Sequence, residues 1–155
     1  MNRTLSNFLT MILFMGFVLG LAVVGPDMSP QQRCIKDTLA WTETRLFMGR
    51  DIHPSAGGGE VSDAQWQAFA DAEVIPRFSD GFTVVDAAGY WKGEGCKAAN
   101  LPGGCERTKV LLIQHPESDE ADKKLEAISN AYRTQFKQQA VMRSDHKVCT
   151  QFYSG

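Results

Sequence analysis

Residues 61–86, VSDAQWQAFADAEVIPRFSDGFTVVD, carry the clearest local structural signals in the chain and decide its fold. Ser62 is a typical N-cap residue, and Gln65 three positions later completes a capping box, in which each side chain bonds to the other residue's backbone N–H. Apolar residues then recur at helical spacing until Pro76 ends the helix; they are Trp66, Phe69, Ala70 and Val74. After a short turn, the β-rich segment 82–86 predicts a strand. We therefore expect a helix followed directly by a strand.

Weaker patterns on either side predict three more strands and a second helix. The strands are expected at residues 41–49, 108–114 and 141–153, with a bend at Ala88-Gly89 and an interruption around Ser144-Asp145. Ser118 or Asp119 caps the second helix, in which Leu125, Ile128, Tyr132 and Phe136 recur at spacings of three and four.

The resulting order is strand, helix, strand, strand, helix, strand. It predicts an α+β, ferredoxin-like split βαβ fold, an antiparallel sheet with both helices on one face. In this arrangement the first and last strands are neighbours. The other sheet face needs water, a loop or a second copy of the chain to cover it, so a homodimer through this face is one expectation.

Most aromatic residues of the domain are expected in the core. They are Trp41, Phe47, Trp66, Phe69, Phe78, Phe82, Tyr132 and Phe136. Tyr90 and Trp91 are the expected exceptions, because they follow a glycine at the rim of the sheet.

The amino-terminal region is dominated by an almost continuous apolar run at residues 8–24. Its length lies between the core of a cleavable signal peptide and a full membrane-spanning helix, so residues 1–25 are either a signal peptide or an N-terminal membrane anchor. Both alternatives place the rest of the chain outside the cytosol, in the periplasm or secreted, or anchored to the inner membrane by residues 8–24. Residues 26–43 are then a lead-in segment, and residues 44–153 form one α+β domain.

Charge and cysteine content limit the kinds of partner, covalent bond and metal site that the chain is expected to have. Arg3 is one of 16 Lys and Arg residues against 18 Asp and Glu, so the remainder of the chain carries a net charge of −3 with no basic face. A nucleic-acid partner is therefore not expected. An even number of cysteines in an exported chain predicts disulfides, of which we favour Cys34–Cys149 and Cys96–Cys105. A zinc site is disfavoured because no Cys-x-x-Cys spacing occurs.

Several motifs together resemble a family of small exported bacterial proteins, domain of unknown function 3574. They are Phe47-x-Gly49, Ser62-Asp63-x-x-Trp66-x-x-Phe69, Pro76-Arg77-Phe78-Ser79-Asp80-Gly81-Phe82-Thr83, Trp91, Glu106-x-x-Lys109-Val110 and Tyr132-x-x-x-Phe136-x-Gln138-x-x-Val141. The chain departs from the family in its two-cysteine loop and in Ser79, where proline is expected. The resemblance implies a compact exported α+β domain. It implies no reaction, so it carries over no catalytic residue.

Candidate ligand-binding residues come from the polar members of these motifs and from one histidine. Arg77, Trp91, Glu106, Lys109 and His115 could line a pocket in which Arg77 grips an anion. A structural interpretation is favoured, in which Asp80 holds a turn and Glu106 pairs with Arg77 at the sheet edge.

Other chemistry finds less support in the sequence. Gly57-Gly58-Gly59 is not a phosphate loop, because Glu60 and Asp63 follow it. His53, His115 and His146 each lie near a carboxylate (Asp51, Glu117, Asp145), so a metal site would need two of these pairs to meet. All three lie at loops or element ends, where solvated histidine is common, and we predict no metal and no cofactor.

The sequence therefore favours an exported, non-catalytic binding or accessory module whose partner is a protein or a small ligand. The alternative is a small dimeric α/β-barrel-type enzyme that uses Arg77, Trp91 or His115 on a small organic ligand. A membrane-tethered structural subunit is a third reading, and it requires that the leader be retained. A closed cavity with converging polar groups would favour the enzyme, whereas a solid interior with an apolar surface patch would favour a protein partner.

Overall fold

The computed structural model describes residues 34–90 and 106–153. All of them belong to one compact unit, Gln32–Gly155. Four strands and two helices follow in the order β1 (Leu39–Gly49), α1 (Asp63–Phe69), β2 (Thr83–Gly89), β3 (Glu106–His115), α2 (Asp119–Gln135) and β4 (Met142–Thr150). A short 3₁₀ turn, Pro54–Ala56, precedes α1, and a π-helical turn, Ala70–Val74, continues it. No helix among these residues is long and apolar enough to cross a membrane.

The four described strands form one antiparallel sheet in the order β2-β3-β1-β4. This order confirms the predicted ferredoxin-like α+β fold, including the pairing of the first and last strands. Because successive side chains of a strand point to opposite faces, the even-numbered residues of β1 face the helices and the odd-numbered ones face away. Burial in β1 alternates accordingly, from Thr42 to Met48.

The core lies between the helices and one sheet face. Its fully buried members are Leu46, Met48, Val61, Val74, Phe69, Leu111, Ile113, Leu125, Ile128 and Tyr132. The capping box of Ser62 and Gln65 is present as predicted, and Trp66 and Phe69 pack against Tyr132. Ser118 is the N-cap of α2, with its hydroxyl accepting from the N–H of Ala121.

Two local predictions about the strands were wrong, and the first helix ends before Pro76 as predicted but has an unexpected last turn. Strand β2 continues in regular register to Gly89, opposite Glu106, so no bend occurs at Ala88-Gly89. Strand β4 is likewise uninterrupted at Ser144 and Asp145, because β1 pairs with both residues. The first helix ends in the π turn, closed by the N–H of Ile75 and the carbonyl of Ala70, and not as a continuous α-helix.

Two predicted core aromatics lie elsewhere. Trp41 and Phe47 occupy odd-numbered positions of β1, so they lie half-buried on the sheet face opposite the helices. The sequence expectation failed here because an aromatic residue in a strand fits either face, and only the register of the sheet decides which.

The disulfide Cys34–Cys149 is formed, with a Cα–Cα distance of 5.4 Å. It joins the residues just before β1 to the end of β4, as predicted. The predicted Cys96–Cys105 bridge and Trp91 lie outside the described residues.

Candidate functional site

The sheet face away from the helices, which we call the open face, carries a row of apolar side chains across all four strands. Phe47 of β1 is in register with Val110 of β3 on one side and with Met142 of β4 on the other. Val110 is in turn opposite Val85 of β2. Val85 and Met142 are 44% and 49% exposed. The row is thus exposed at its two ends, whereas Phe47 is half-buried and Val110 is buried, and apolar side chains grouped in this way on one face are typical of an interaction surface.

A second apolar group lies further along the same face. Trp41 of β1 is in register with Val148 of β4, and its ring meets that of Phe152 edge-on at 5.6 Å between centroids. Leu39 and Phe152 are 49% and 69% exposed. The open face therefore has an apolar group toward each end of β1.

A polar band separates the two apolar groups. Arg45 forms an ion pair with Glu43 at 2.7 Å, and the side chain of Gln114 donates to Glu43 at 3.2 Å. The hydrogen bonds from Arg45 and then Gln114 lower the pKa of Glu43, so its carboxylate is ionised at neutral pH. On β4 the same band contains Ser144 and His146, whose side chains lie 3.1 Å apart.

A hydrogen-bonded chain, His115–Thr44–Asp145, crosses the helix-facing side of β3, β1 and β4, with His115 and Thr44 buried and Asp145 exposed at its end. The hydroxyl of Thr44 donates to Asp145 Oδ1 at 2.5 Å and lies 2.9 Å from His115 Nε2. His115 Nδ1 lies 2.8 Å from the carbonyl oxygen of Pro116, which can only accept, so Nδ1 carries a proton. His115 Nε2 lies on the other side of the same hydroxyl, so Thr44 links the imidazole ring to the carboxylate of Asp145.

The electrostatics of Asp145 agree with this arrangement. Burial opposes its ionisation, but hydrogen bonds from Thr44 and Arg143, together with the positive charges of Arg143 and His115, hold the pKa of Asp145 below its ordinary value. Thr44 is fully buried, and the ring of Phe78 lies 6.0 Å from that of His115. This chain of side-chain contacts holds three strands together.

A charged cluster occupies the opposite end of the same sheet side. The buried guanidinium of Arg50 binds the Val61 carbonyl at 2.6 Å, Asp63 at 3.0 Å and Glu60 at 3.1 Å. The nearly buried Lys109 lies 3.0 Å from Asp63 and 2.5 Å from Asp86. Its hydrogen bond to Asp86 is the largest cause of the raised pKa of Lys109. Every cation here is matched by a carboxylate, so the cluster closes the loop that precedes α1 onto the sheet.

The other predicted ligand-binding residues have partners of their own. Arg77 donates to the Glu73 carbonyl at 2.7 Å and pairs with the Glu73 carboxylate at 2.8 Å, not with Glu106. The Glu106 carboxylate lies over Gly49, where an added Cβ would come within 2.0 Å of Oε1. Burial, reinforced by the charge of Asp51, raises the pKa of Glu106.

The structure does not bring these candidates to one point. Lys109 and His115 face the same side of β3 but are six residues apart, which corresponds to about 20 Å along a strand. Glu106 lies at the start of β3, and Arg77 follows the π turn. Trp91, the fifth candidate, is not among the described residues.

The histidines are also dispersed. His53 caps the 3₁₀ turn and bonds Ser55, His115 lies on the helix side, and His146 lies on the open face. Within residues 34–90 and 106–153, no three His, Cys, Asp or Glu side chains are arranged to hold a metal ion. A shallow cleft of about 250 Å³ opens between the 3₁₀ turn and the end of α2, lined by Ile52, Ala56, Gly58, Gln65, Gln135, Phe136 and Lys137.

Comparison with known proteins identifies the family. The family model described as protein of unknown function, DUF3574, matches residues 43–152, which is most of the chain. The chain belongs to the DUF3574 family. This match confirms the family resemblance in the sequence, and it extends from within β1 to the residues directly after β4.

Solved structures give weaker likenesses to the DUF3574 chain. A putative PII-like signaling protein from Thermus thermophilus is 13% identical with a TM-score of 0.42, covering 74% of this chain and 93% of its own. A phage SAM lyase in complex with S-methyl-5'-thioadenosine is 14% identical with a TM-score of 0.41, covering 81% of this chain and 100% of its own. No curated protein sequence matches the chain.

Sequence reasoning missed the His115–Thr44–Asp145 chain. Thr44 and Asp145 are 101 positions apart, and the sequence places His115 beside Glu117 instead. One signal was present: Thr42 and Thr44 are polar residues at two successive positions of β1 that face the helices. Polar groups buried on such a face need hydrogen-bond partners. Side chains on the strands predicted to neighbour β1 were the ones that could supply these partners.

Proposed function

We propose that this DUF3574 domain is a non-catalytic binding or accessory module and that the open face is its binding surface. The observation that carries the proposal is the apolar row Val85, Val110, Phe47 and Met142, which spans all four strands. Two of its members are nearly half exposed. Covering such a row with a partner would remove apolar surface from water, which is the main favourable term in protein association.

The interior supports a binding role over an enzymatic one. The core between sheet and helices is filled by large apolar side chains, and the polar groups on this side bond to one another. The cleft near α2 is shallow, and it is lined by none of the four predicted ligand-binding residues that the structure describes. A small-molecule enzyme instead needs a concave site at which several polar groups converge.

We also propose that the domain works outside the cytosol. The Cys34–Cys149 disulfide is the kind of bond that persists in oxidising compartments. The apolar run at residues 8–24 supports export by a cleaved leader or a retained anchor.

Footprinting tests the binding surface. The full chain is labelled by a photoactivated carbene in the cells that produce it and, separately, as dilute purified protein. Met142 on the open face should be labelled less in cells, whereas Ile75, 45% exposed beside α1, serves as the control and should not change. Equal labelling of Met142 in the two samples would contradict a binding role for the open face.

Thiol trapping tests the compartment. A maleimide polymer added during denaturation without reductant should leave Cys34 and Cys149 of the full chain unmodified. A variant that lacks residues 2–25 should be retained in the cytosol and modified at both cysteines. Full modification of the complete chain, with its front end intact, would show that the domain is not exported.

A further inference from the structure

The open-face side chains of β1 are arranged symmetrically on the two sides of Thr44, except that the charges on the two sides have opposite sign. At increasing distance from Thr44, Arg45 matches Glu43 and Phe47 matches Trp41. Each aromatic residue is thus mirrored by an aromatic residue, and the cation is mirrored by an anion. A surface with this property is complementary to itself when turned end over end.

We propose that the open face docks a second copy of this chain, with a twofold axis that crosses β1 at the level of Thr44 and runs perpendicular to the strand. The proposal rests on the proposed function, since it names the partner of the same surface. Rotation about this axis places Arg45 over Glu43 of the second copy, and Glu43 over its Arg45. Four charges then alternate in sign at the centre of the interface.

The apolar residues follow the same rotation. Phe47 lies over Trp41 of the second copy, and Trp41 over its Phe47, so aromatic side chains meet on both sides of the axis. Two sheets that pack face to face keep their strands within about 30° of each other, so this correspondence is closest near the axis.

Strand β4 obeys the same symmetry without having been used to place the axis. Met142 is in register with Phe47 and Val148 with Trp41, so the rotation brings Met142 over Val148 of the second copy. Ser144 comes over His146, a hydroxyl over an imidazole. Two neighbouring strands therefore give the same pairing of apolar with apolar and polar with polar positions.

Another twofold arrangement of the same faces is disfavoured by charge. An axis parallel to β1 would place Glu43 over Glu43 and Arg45 over Arg45 of the second copy, and like charges so placed repel. Only the perpendicular axis converts the Glu43–Arg45 pair, formed within each chain at 2.7 Å, into an alternating set of four. An unrelated partner would not require the inverted order on this strand.

Charge reversal tests the pairing. Sedimentation of the processed full chain over a wide concentration range should show a monomer–dimer equilibrium. Glu43→Arg and Arg45→Glu should each weaken the dimer at least about tenfold, because like charges then meet across the axis. The matched control Arg133→Glu reverses an exposed charge on α2, which covers the other sheet face, and should leave the equilibrium unchanged.

Mixing the two single variants separates the contact between chains from the ion pair within each chain. Each variant alone lacks the internal Glu43–Arg45 pair. In a mixed dimer, however, two arginines of one chain face two glutamates of the other. Native mass spectrometry should therefore show the mixed dimer in excess over either homodimer.

The outcomes distinguish this inference from the proposed function. A wild-type chain that stays monomeric while Met142 is protected in cells would overturn the second copy and leave the binding surface intact. A dimer that ignores both charge reversals, and shows no excess of the mixed species, would place the interface elsewhere and overturn the inference. If Met142 is not protected from labelling in cells, both the proposed function and this inference are contradicted.

Discussion

At Thr44 a single buried hydroxyl group links β3, β1 and β4 through side chains. It donates to Asp145 at 2.5 Å and lies 2.9 Å from His115 Nε2, so its removal takes a partner from the buried imidazole and one hydrogen bond from the carboxylate, which Arg143 still contacts. Thr44→Val keeps the shape of the side chain and is expected to lower the free energy of unfolding by about 1–3 kcal/mol. Urea unfolding followed by tryptophan fluorescence measures the change.

Thr42→Val is the matched control for Thr44→Val. Thr42 faces the same side of β1 and is also buried, but its hydroxyl accepts a longer bond of 3.3 Å from Lys147, whose side chain is half exposed. The control should therefore cost less than Thr44→Val. Equal losses would mean that the His115–Thr44–Asp145 chain adds nothing beyond an ordinary threonine in this strand.

Glu106 gives the fold a pH dependence of known sign. Burial, together with the charge of Asp51, raises its pKa above the ordinary value of 4.5, so the folded state binds the proton more tightly than the unfolded state. This stabilisation is complete below the unfolded pKa and is lost as the pH rises through the folded pKa. Glu106→Gln replaces the carboxyl by a group that stays neutral, so the variant does not lose stability as the pH rises. It should therefore be more stable than wild type at neutral pH.

Urea unfolding of both chains between about pH 4 and pH 7 measures this effect. The advantage of Glu106→Gln should shrink as the pH falls, because the wild-type carboxyl then becomes neutral too. Asp145 has a lowered pKa and contributes a slope of opposite sign, but it is present in both chains and cancels in the difference. A difference that stays constant with pH would contradict the assignment.

At the scale of elements, the sequence predicted what local chemistry controls. The capping box at Ser62, the Ser118 cap and the apolar stripes of both helices follow from contacts within a few residues, and the structure contains them. The strand order also followed, because the alternation of helices and strands leaves few topologies open. The order of the elements and the starts of the helices were therefore predictable from the sequence.

Features that depend on partners distant in sequence could not be predicted from the sequence. Ser144 and Asp145 suggested a break in β4, yet pairing with Arg45 and Thr44 of β1 keeps the strand continuous. Trp41 and Phe47 were expected in the core because nothing local distinguishes the two faces of β1. The His115–Thr44–Asp145 chain depends on the register of three strands at once.

At the scale of the whole molecule, the two sides of the sheet differ in how their polar groups are satisfied. On the helix side Arg50, Lys109 and His115 find partners within the same chain, so this side is closed. On the open face apolar groups flank the Glu43–Arg45 pair, and this side can gain contacts. Among the described residues, the helix side thus pairs these cations by itself, whereas the open face carries apolar groups that can gain contacts.

The disulfide acts at this same scale, because it closes a loop of 115 residues around nearly the whole domain. Loop closure restricts the unfolded chain more strongly the longer the loop, so Cys34→Ser with Cys149→Ser should lower the free energy of unfolding by about 3–5 kcal/mol. Thermal unfolding of the double variant measures it, with a decrease in Tm on the order of 10 °C. The control is Cys96→Ser with Cys105→Ser, whose predicted loop is far shorter and should cost less. If the first pair cost no more than the second, the long loop would not stabilise the fold by restricting the unfolded chain, and the loop-closure argument would be contradicted.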